Sequence, residues 1–490
     1  MRHSFIPQMT IGATAISEIE FDIYSRHELV PILMALQHLY VNRRSCIEEI
    51  CSLIKDDVIK DQNEKLGCTG LSYWETLVLA AARLGSDLDL DQLQDLADNH
   101  QKLRQMLQLG QFDVKRYPRS TIHDNLTKLS AETIDKISQI VVGEGHRFRP
   151  NAVSKVRGDT FLVQKNIHYP TDANLLFDGI RKTIELSVKL AQDHGIVGWR
   201  QHDYLLRKIK RTKRRIEKVA RSKQKNRDTK LKKFYKELLD RISNIVERSL
   251  NTISTFYAIK NQSNEPVSVF WTRVISELQY FIAGTEYMYE LAKRRVLQDE
   301  KIPNPEKVFS LFEPDTELIN RGKMPHPIEF GHRVLVMQDS AGFIVHSQVL
   351  GIGVTDEKVL VDVMKKLQER FIGKISFASF DKGFWTPDNL AELSKTVRVA
   401  CLPKKGKRST ADAEREGSKA FGRARKWHAG IESAIHALGS GNGLIVCRDK
   451  GVDGYNRYVA LAVLGRNLHN LGNILIERER RRRKNLRKVA

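Results

Sequence analysis

The 490-residue sequence lacks several features that would assign it to a particular class of protein. No uninterrupted apolar run approaches the roughly 18–20 residues that a membrane-spanning helix needs, which excludes an integral membrane protein. The N-terminal segment reaches acidic residues before any continuous apolar stretch, so a secretory signal peptide is not expected. The five cysteines include no Cys-x-x-Cys pair, so neither a disulfide framework nor a zinc cluster is expected. A reducing cytoplasm is the simplest location for such a chain.

Two common catalytic motifs are also missing. There is no Gly-x-x-x-x-Gly-Lys-Ser/Thr sequence, so a phosphate-binding loop and a nucleotide cofactor are not predicted. The fifteen histidines include no His-Glu-x-x-His pair, which disfavours a zinc hydrolase. The remaining composition, 41% hydrophobic and 29% charged, is that of a globular protein long enough for several domains.

The most distinctive positive feature is charge, because 81 Lys and Arg residues stand against 59 Asp and Glu residues, a formal net charge of +22. Residues 207–233 contain 15 basic and two acidic residues, and residues 478–488 contain eight basic and one acidic residue. These two segments hold 20 of the 22 surplus charges, so the rest of the chain is nearly balanced. A localised surplus favours a polyanionic partner, since basic side chains that neutralise phosphates release counterions.

The basic segment 207–233 keeps a narrow apolar stripe at Ile209, Ile216 and Val219, which predicts one long amphipathic helix. Such a helix either presents a solvated charged face or lies along a phosphate backbone, where each cation positions the nucleic acid without reading its sequence. The candidate phosphate contacts are Lys208, Lys210, Arg211, Lys213, Arg214 and Arg215.

The N-terminal part of the chain reads as helical. From Leu71 onward, short helices are separated by glycine breaks, a pattern compatible with a helix-turn-helix DNA reader and equally with a helical docking domain. The predicted organisation is an N-terminal helical segment at 1–66, a helix-turn-helix-like DNA-binding domain at 67–150, a catalytic domain at 151–172 and 325–476, a helical basic insertion at 173–324, and a basic tail at 477–490 that is expected to fray.

The predicted catalytic domain mixes strands and helices. The sequence VRGDTFLVQKNI has the β-branched and aromatic content of a strand, and HRVLVMQD and GFIVHSQVLGIG form a predicted hairpin. A helix, a strand (KISFASFD), a helix and a strand (VRVACLP) follow, and then one long helix through RKWHAGIESAIHAL. Alternation of this kind predicts an α/β fold with a mixed sheet covered on both faces.

Three carboxylates stand out by their positions in these elements. Asp159 lies inside the first predicted strand, Asp381 follows the strand ISFASF, and Glu432 lies in the middle of the predicted long helix, on one face with Arg425 and His428. Taken singly, they could be a satisfied strand residue, a helix cap and a solvent-facing residue. Together, in this order of elements, they match a ribonuclease-H-like fold with a large helical insertion after the first strand. Such acids can hold two divalent cations for in-line phosphoryl displacement.

At these residues the sequence resembles the DDE-class transposases of bacterial insertion sequences, most closely the ISNCY-type group. The resemblance runs from about residue 68 to 476, and its specific stretches include RGDTFLVQKNIHYPTDANLLFDGIRK, FASFDKGFWTPDN, CLPKKGKRS and RKWHAGIESAIHALG. Related transposases often place Tyr, Arg and Lys at −7, −4 and +7 from the third acid. This sequence has Arg425, His428 and Gly439 there, so it departs from that accessory set.

The resemblance implies that Asp159, Asp381 and Glu432 are the catalytic acids and hold two Mg²⁺ ions, with Mn²⁺ able to replace them. It also implies DNA as the partner, both terminal inverted repeats and target DNA, at least a dimer in the synaptic complex, and a bacterial, nucleoid-associated location. Arg425 and His428 are candidate accessory residues, and Lys404 and Lys405 form a basic loop that could contact phosphate. A nuclease of the same fold without strand transfer, and a decayed transposase that only binds DNA, remain alternative interpretations.

Overall fold

A computed structural model of the chain describes residues 3–5, 12–60, 70–320, 322 and 327–489, with the backbone alone at 487–489. The predicted boundaries at 66/67 and 324/325 lie outside these residues. Within the described ranges, no helix combines the length and apolarity needed to cross a membrane.

The described part of the chain is a mixed α/β structure. Its helices are α1 (Leu29–Asn42), α2 (Arg44–Ile59), α3 (Tyr73–Gly85), α4 (Leu90–Asn99), α5 (Gln101–Met106), α6 (Arg119–Leu126), α7 (Ala131–Phe148), α8 (Asp172–Asp193), α9 (His202–Ala220), α10 (Arg227–Ser263), α11 (Val269–Ala292), α12 (Asp356–Arg370), α13 (Pro387–Thr396), α14 (Thr410–Gly417), α15 (Lys419–His428), α16 (Ile431–His436) and α17 (Gly451–Val489). Its strands are β1 (Lys155–Lys165), β2 (Glu317–Asn320), β3 (Ile328–Asp339), β4 (Ile344–Val349), β5 (Phe377–Phe380), β6 (Val399–Cys401) and β7 (Val446–Cys447).

The chain divides into two compact units, residues 1–166 with 323–490, and residues 167–322. In the first unit, the strands follow the order β4-β3-β1-β5-β6, and β7 pairs with the end of β1. Strand β3 is antiparallel to both β1 and β4, whereas β1, β5 and β6 are parallel to one another. The predicted strand over VRGDTFLVQKNI and the predicted hairpin are thereby confirmed. The sheet is mixed because the hairpin reverses direction while the later strands return through helices.

The N-terminal helices share one hydrophobic core with the sheet and with α17. Helix α17 packs against α1, α3 and α7, and it continues as a helix through the basic tail, which was expected to fray. Two glycines of α17 lie where a neighbouring backbone comes very close. A side-chain carbon at Gly465 would lie 2.6 Å from the Gly85 Cα atom, and one at Gly472 would collide with the Pro31 carbonyl oxygen. These contacts require glycine for space.

The tight crossing of α17 with α1 leads to a stability prediction. Gly472→Ala is expected to reduce the free energy of unfolding by about 1–3 kcal/mol, because the new methyl group must displace backbone. Gly143→Ala on the exposed side of α7, where nothing lies within 4 Å, is the matched control and should stabilise by about 0.5–1 kcal/mol. Chemical denaturation of both variants measures the difference. Equal stabilities would contradict the close packing of α17.

The second unit is a helical bundle of α8, α9, α10 and α11 around its own apolar core. The prediction of one long helix over 207–233 is wrong, since α9 ends at Ala220 and α10 begins at Arg227. The reason is visible in the sequence between Arg221 and Lys230, which contains no apolar residue to continue the stripe of α9. The chain therefore reverses there, and α10 packs back against α9.

Candidate active site

The first two predicted acids are brought together by strand register. On the parallel strands β1 and β5, Arg157 lies opposite Ser379 and Gly158 lies opposite Phe380. The side chains of Asp159 and Asp381, each two residues beyond the first of these pairs, therefore project from the same face at neighbouring positions. Asp381 is exposed and Asp159 is half-buried. A separation of 222 residues along the chain is thus closed by one pair of strands.

Each aspartate is oriented by a local hydrogen bond. The Thr160 backbone N–H donates to Asp159 Oδ1 at 2.7 Å, and the Lys382 N–H donates to Asp381 Oδ1 at 2.6 Å. Asp381 thereby caps the short 3₁₀ turn Lys382–Phe384, the cap that was one of the alternatives for this residue. A cap uses one oxygen and leaves the other free, so capping and ligand binding are compatible at Asp381.

Glu432 lies in a different setting from the one expected. The predicted long helix is broken into α14, α15 and α16, so Glu432 occupies the first turn of the six-residue α16, and Arg425 and His428 belong to α15. The prediction of a shared helical face for these three residues is therefore wrong. One break falls at Ser418, whose side chain accepts from the Phe421 N–H and so begins α15, and the second falls at 429–430. Glu432 itself is exposed.

The three acids influence one another electrostatically. The pKa of Asp159 is raised to about 6, first by burial and then by the neighbouring carboxylates of Asp381, Asp356 and Glu432, while the Thr160 N–H opposes the rise. Within the described ranges, none of the three predicted acids forms an ion pair with a basic side chain. In the described part of the chain, Arg333 beside Asp356 is the nearest basic partner of this group, so much of its negative charge is unpaired and a bound cation would relieve the repulsion.

Asp356 was missed by the sequence analysis. It begins α12, its Oδ1 lies 3.6 Å from Arg333 Nη1, and its Oδ2 lies 3.2 Å from the position of a side-chain carbon on Gly383. Burial raises the pKa of Asp356, and Arg333 lowers it. An acidic residue in the first turn of a helix is so common, because it complements the helix dipole, that the sequence offered no reason to select this one.

The two accessory candidates lie in different surroundings. His428 is half-buried. Burial lowers the pKa of His428, while Asp381, the Ser379 backbone and Glu432 act in the opposite direction. Its Nδ1 has no hydrogen-bond partner among the described residues. Arg425 is exposed; burial raises the pKa of the Cys401 thiol on β6, and the charge of Arg425 opposes that rise.

The candidate basic loop is largely neutralised by its own helix. Lys404 Nζ lies 2.7 Å from Asp412 and 4.9 Å from the centroid of the Trp385 ring. Arg408 pairs with Glu416 at 3.0 Å. Lys405 is exposed. Of the two predicted phosphate contacts in this loop, Lys405 is therefore the more available.

The basic residues of α9 fall into two groups in the second unit. In the first group, each cation contacts an aromatic ring: Lys208 lies over Tyr204, Lys213 over Phe177, and Arg215 4.1 Å from the centroid of Phe234. Two of them also pair with an acid, Lys213 with Glu217 and Arg215 with Glu237 at 3.4 Å. The other candidates belong to an exposed row at helical spacing, which we call the basic stripe. It consists of Arg207, Lys210, Arg211, Arg214, Lys218 and Arg221. No acidic side chain pairs with the stripe in the described part of the chain.

The donor set suits a hard divalent cation, because the converging groups are carboxylates with oxygen ligands alone. Among the described residues, no group of three or more His, Cys, Asp or Glu side chains is arranged to hold a metal ion. The fit therefore rests on the unbalanced negative charge around Asp159 and on ligand chemistry. Comparisons of the chain with models of protein families, with curated proteins and with solved structures found no match.

Proposed function

We propose that this chain is a DDE-class transposase, which binds the terminal inverted repeats of its element, cleaves DNA at the ends and joins them to target DNA. The observation that carries the proposal is that Asp381 and Glu432, from two other elements, raise the pKa of Asp159, while none of the three acids pairs with a basic side chain in the described part of the chain. A structural role alone would not favour that arrangement, since clustered carboxylates repel one another.

The strand order supports a ribonuclease-H-like catalytic domain. A hairpin strand lies beside a central strand that carries the first acid, two parallel strands follow on the other side, and a helical segment brings the third acid. The second acid stands at the end of a parallel strand, where ligands of α/β sheets gather. The long helical unit enters directly after the first strand, as the resemblance implies.

In the proposed reaction, Asp159, Asp381 and Glu432 bind the metal ions through carboxylate oxygens. Bound Mg²⁺ would supply an activated attacking oxygen and stabilise the leaving oxygen of the scissile phosphodiester. His428, whose buried Nδ1 has no hydrogen-bond partner among the described residues, would orient one of the acids. The same site then serves strand transfer, in which the freed 3′ hydroxyl of the element attacks target DNA.

DNA binding is assigned to surfaces outside this site. The basic stripe of α9 would grip the phosphate backbone, and the helices of residues 71–145 would read the end sequence. Synapsis of two ends would require at least a dimer.

Paired end DNA tests the proposal. The full chain, incubated with Mg²⁺, a plasmid target and duplexes taken from the DNA that flanks its gene, is expected to join 3′ ends to the plasmid. Hydrolysis without joined product would instead identify a nuclease of the same fold, and binding without cleavage would identify a decayed transposase. Heat-treated protein and duplexes of scrambled end sequence are the controls.

A further inference from the structure

Arg157 links strand β1, which carries Asp159, to helix α15, which precedes Glu432. It lies on β1, two residues before Asp159 and on the same face, directly opposite Gln338 of β3. Its Nε and Nη2 donate to Gln338 Oε1 at 3.0 and 2.6 Å, and its Nη1 donates to the Trp427 carbonyl at 2.6 Å. One guanidinium therefore joins β3, β1 and the end of α15.

The end of α15 is fixed at this point by several contacts. The guanidinium carbon of Arg157 lies 4.8 Å from the centroid of the Trp427 ring, which meets the Phe377 ring of β5 edge-on at 5.3 Å. The Trp427 carbonyl also accepts the Gly430 N–H at 3.2 Å, which closes the turn before α16. Arg157 thus supplies a hydrogen bond to a helix-terminal carbonyl, a position that basic side chains commonly stabilise.

Gly430 lies between this contact and Glu432. A side-chain carbon on Gly430 would collide with Arg157 Nη1, while the φ of Gly430 is an ordinary −68°. Glycine is therefore needed for space and not for its backbone freedom. The break between α15 and α16 therefore lies against the Arg157 side chain of β1, and Glu432 follows two residues later.

The surroundings of Arg157 argue against a simple salt bridge. Its hydrogen bonds go to neutral acceptors, and in the described part of the chain it forms no ion pair within 4 Å. Burial lowers its pKa, and the more distant Asp339 opposes this effect. A planar fork with fixed donor directions matches this site, and a lysine cannot reproduce it.

We propose that Arg157 is a positioning residue, which sets the place of Glu432 relative to Asp159 and Asp381 by holding the end of α15. This inference rests on the proposed function, since it concerns how the third metal-binding acid reaches the first two. Residues that orient metal ligands typically change metal affinity 10–100-fold when they are replaced.

Mn²⁺ binding to the full-length chain, measured by electron paramagnetic resonance, provides the test. Arg157→Lys is expected to weaken Mn²⁺ binding about tenfold in the wild-type background and in Asp381→Asn. In the Glu432→Gln background it should change binding less than about twofold, because the ligand it positions is already gone. The same loss in the Glu432→Gln background, or a loss that disappears in Asp381→Asn, would overturn the inference.

A second pair of variants covers the case in which Arg157→Lys does not fold. Gly430→Ala pushes on Arg157 Nη1 and should weaken Mn²⁺ binding in the same Glu432-dependent way, whereas Gly422→Ala, on α15 with nothing within 4 Å, should leave Mn²⁺ binding unchanged. Equal binding by Gly430→Ala and Gly422→Ala would contradict the role of Arg157. A wild-type chain that binds no Mn²⁺ would contradict the proposed function itself.

Discussion

Asp159→Asn, Asp381→Asn and Glu432→Gln are each expected to reduce DNA cleavage about 10³-fold, while the affinity for DNA stays within about twofold of wild type. Each substitution removes one carboxylate from the converging group, and the loss of a metal contact in the transition state is worth several kcal/mol. Single-turnover cleavage in Mg²⁺ and filter binding without metal measure the two quantities separately. The folded state should not suffer, because removing one of several mutually repelling carboxylates relieves the repulsion that raises the pKa of Asp159.

Asp362→Asn is the matched control for these three substitutions, since Asp362 is exposed on α12. It is expected to leave cleavage and melting temperature unchanged. Cleavage that persists in all three acid variants and still requires a divalent metal would show that the reaction uses other ligands, with Asp356 the first to examine. A fall in melting temperature together with activity would point to a structural role for the affected acid.

Substitutions in the two groups of basic residues on α9 are expected to have different effects on DNA binding. The triple variant Lys210→Gln, Arg211→Gln and Arg214→Gln is expected to weaken DNA binding about tenfold or more. It should also reduce the slope of log affinity against log salt by about 2–3, because each phosphate contact contributes about 0.9. Affinity measured between about 50 and 200 mM salt gives both values.

The matched triple variant is Lys208→Gln, Lys213→Gln and Arg215→Gln, which removes the same number of charges from the same helix. These side chains already contact aromatic rings or glutamates, so the salt slope should change by less than about 1. Equal slopes for the two triple variants would show that α9 acts only through its total charge. An unchanged slope in both would place the phosphate contacts elsewhere, with the basic end of α17 as the next surface to test.

The sequence predicted the strands of the hairpin and of the first acid because their signals are local, and the choice of the three acids rested on local signals too. A carboxylate within an apolar strand, as at Asp159, is unusual enough to notice in one dimension. The break between α9 and α10 was also encoded locally, in the loss of apolar residues after Val219, but the high density of basic residues in that segment favoured one continuous helix.

The features that the sequence did not predict depend on contacts between residues far apart in the chain. Gly430 looks like a tolerable glycine within a helix, and only the approach of Arg157, 273 residues earlier, shows that a larger residue has no space there. The same holds for Asp356, which becomes part of the site through the position of Gly383 and of the strand that carries Asp159. Register between strands decides such neighbours, and sequence periodicity does not specify it.

The connection between β1 and β3 has a further consequence. Gln164, near the end of β1, lies opposite Gly331, near the start of β3, on these neighbouring antiparallel strands. A short turn could therefore bridge the two strand ends. Residues 167–322 therefore occupy the place of a single hairpin loop. An insert at such a position is commonly tolerated, because it lengthens one connection and leaves the pairing of β1 with β3 in place. Chimeras that graft the helical bundle of one such protein onto the sheet of another would then separate DNA preference from chemistry.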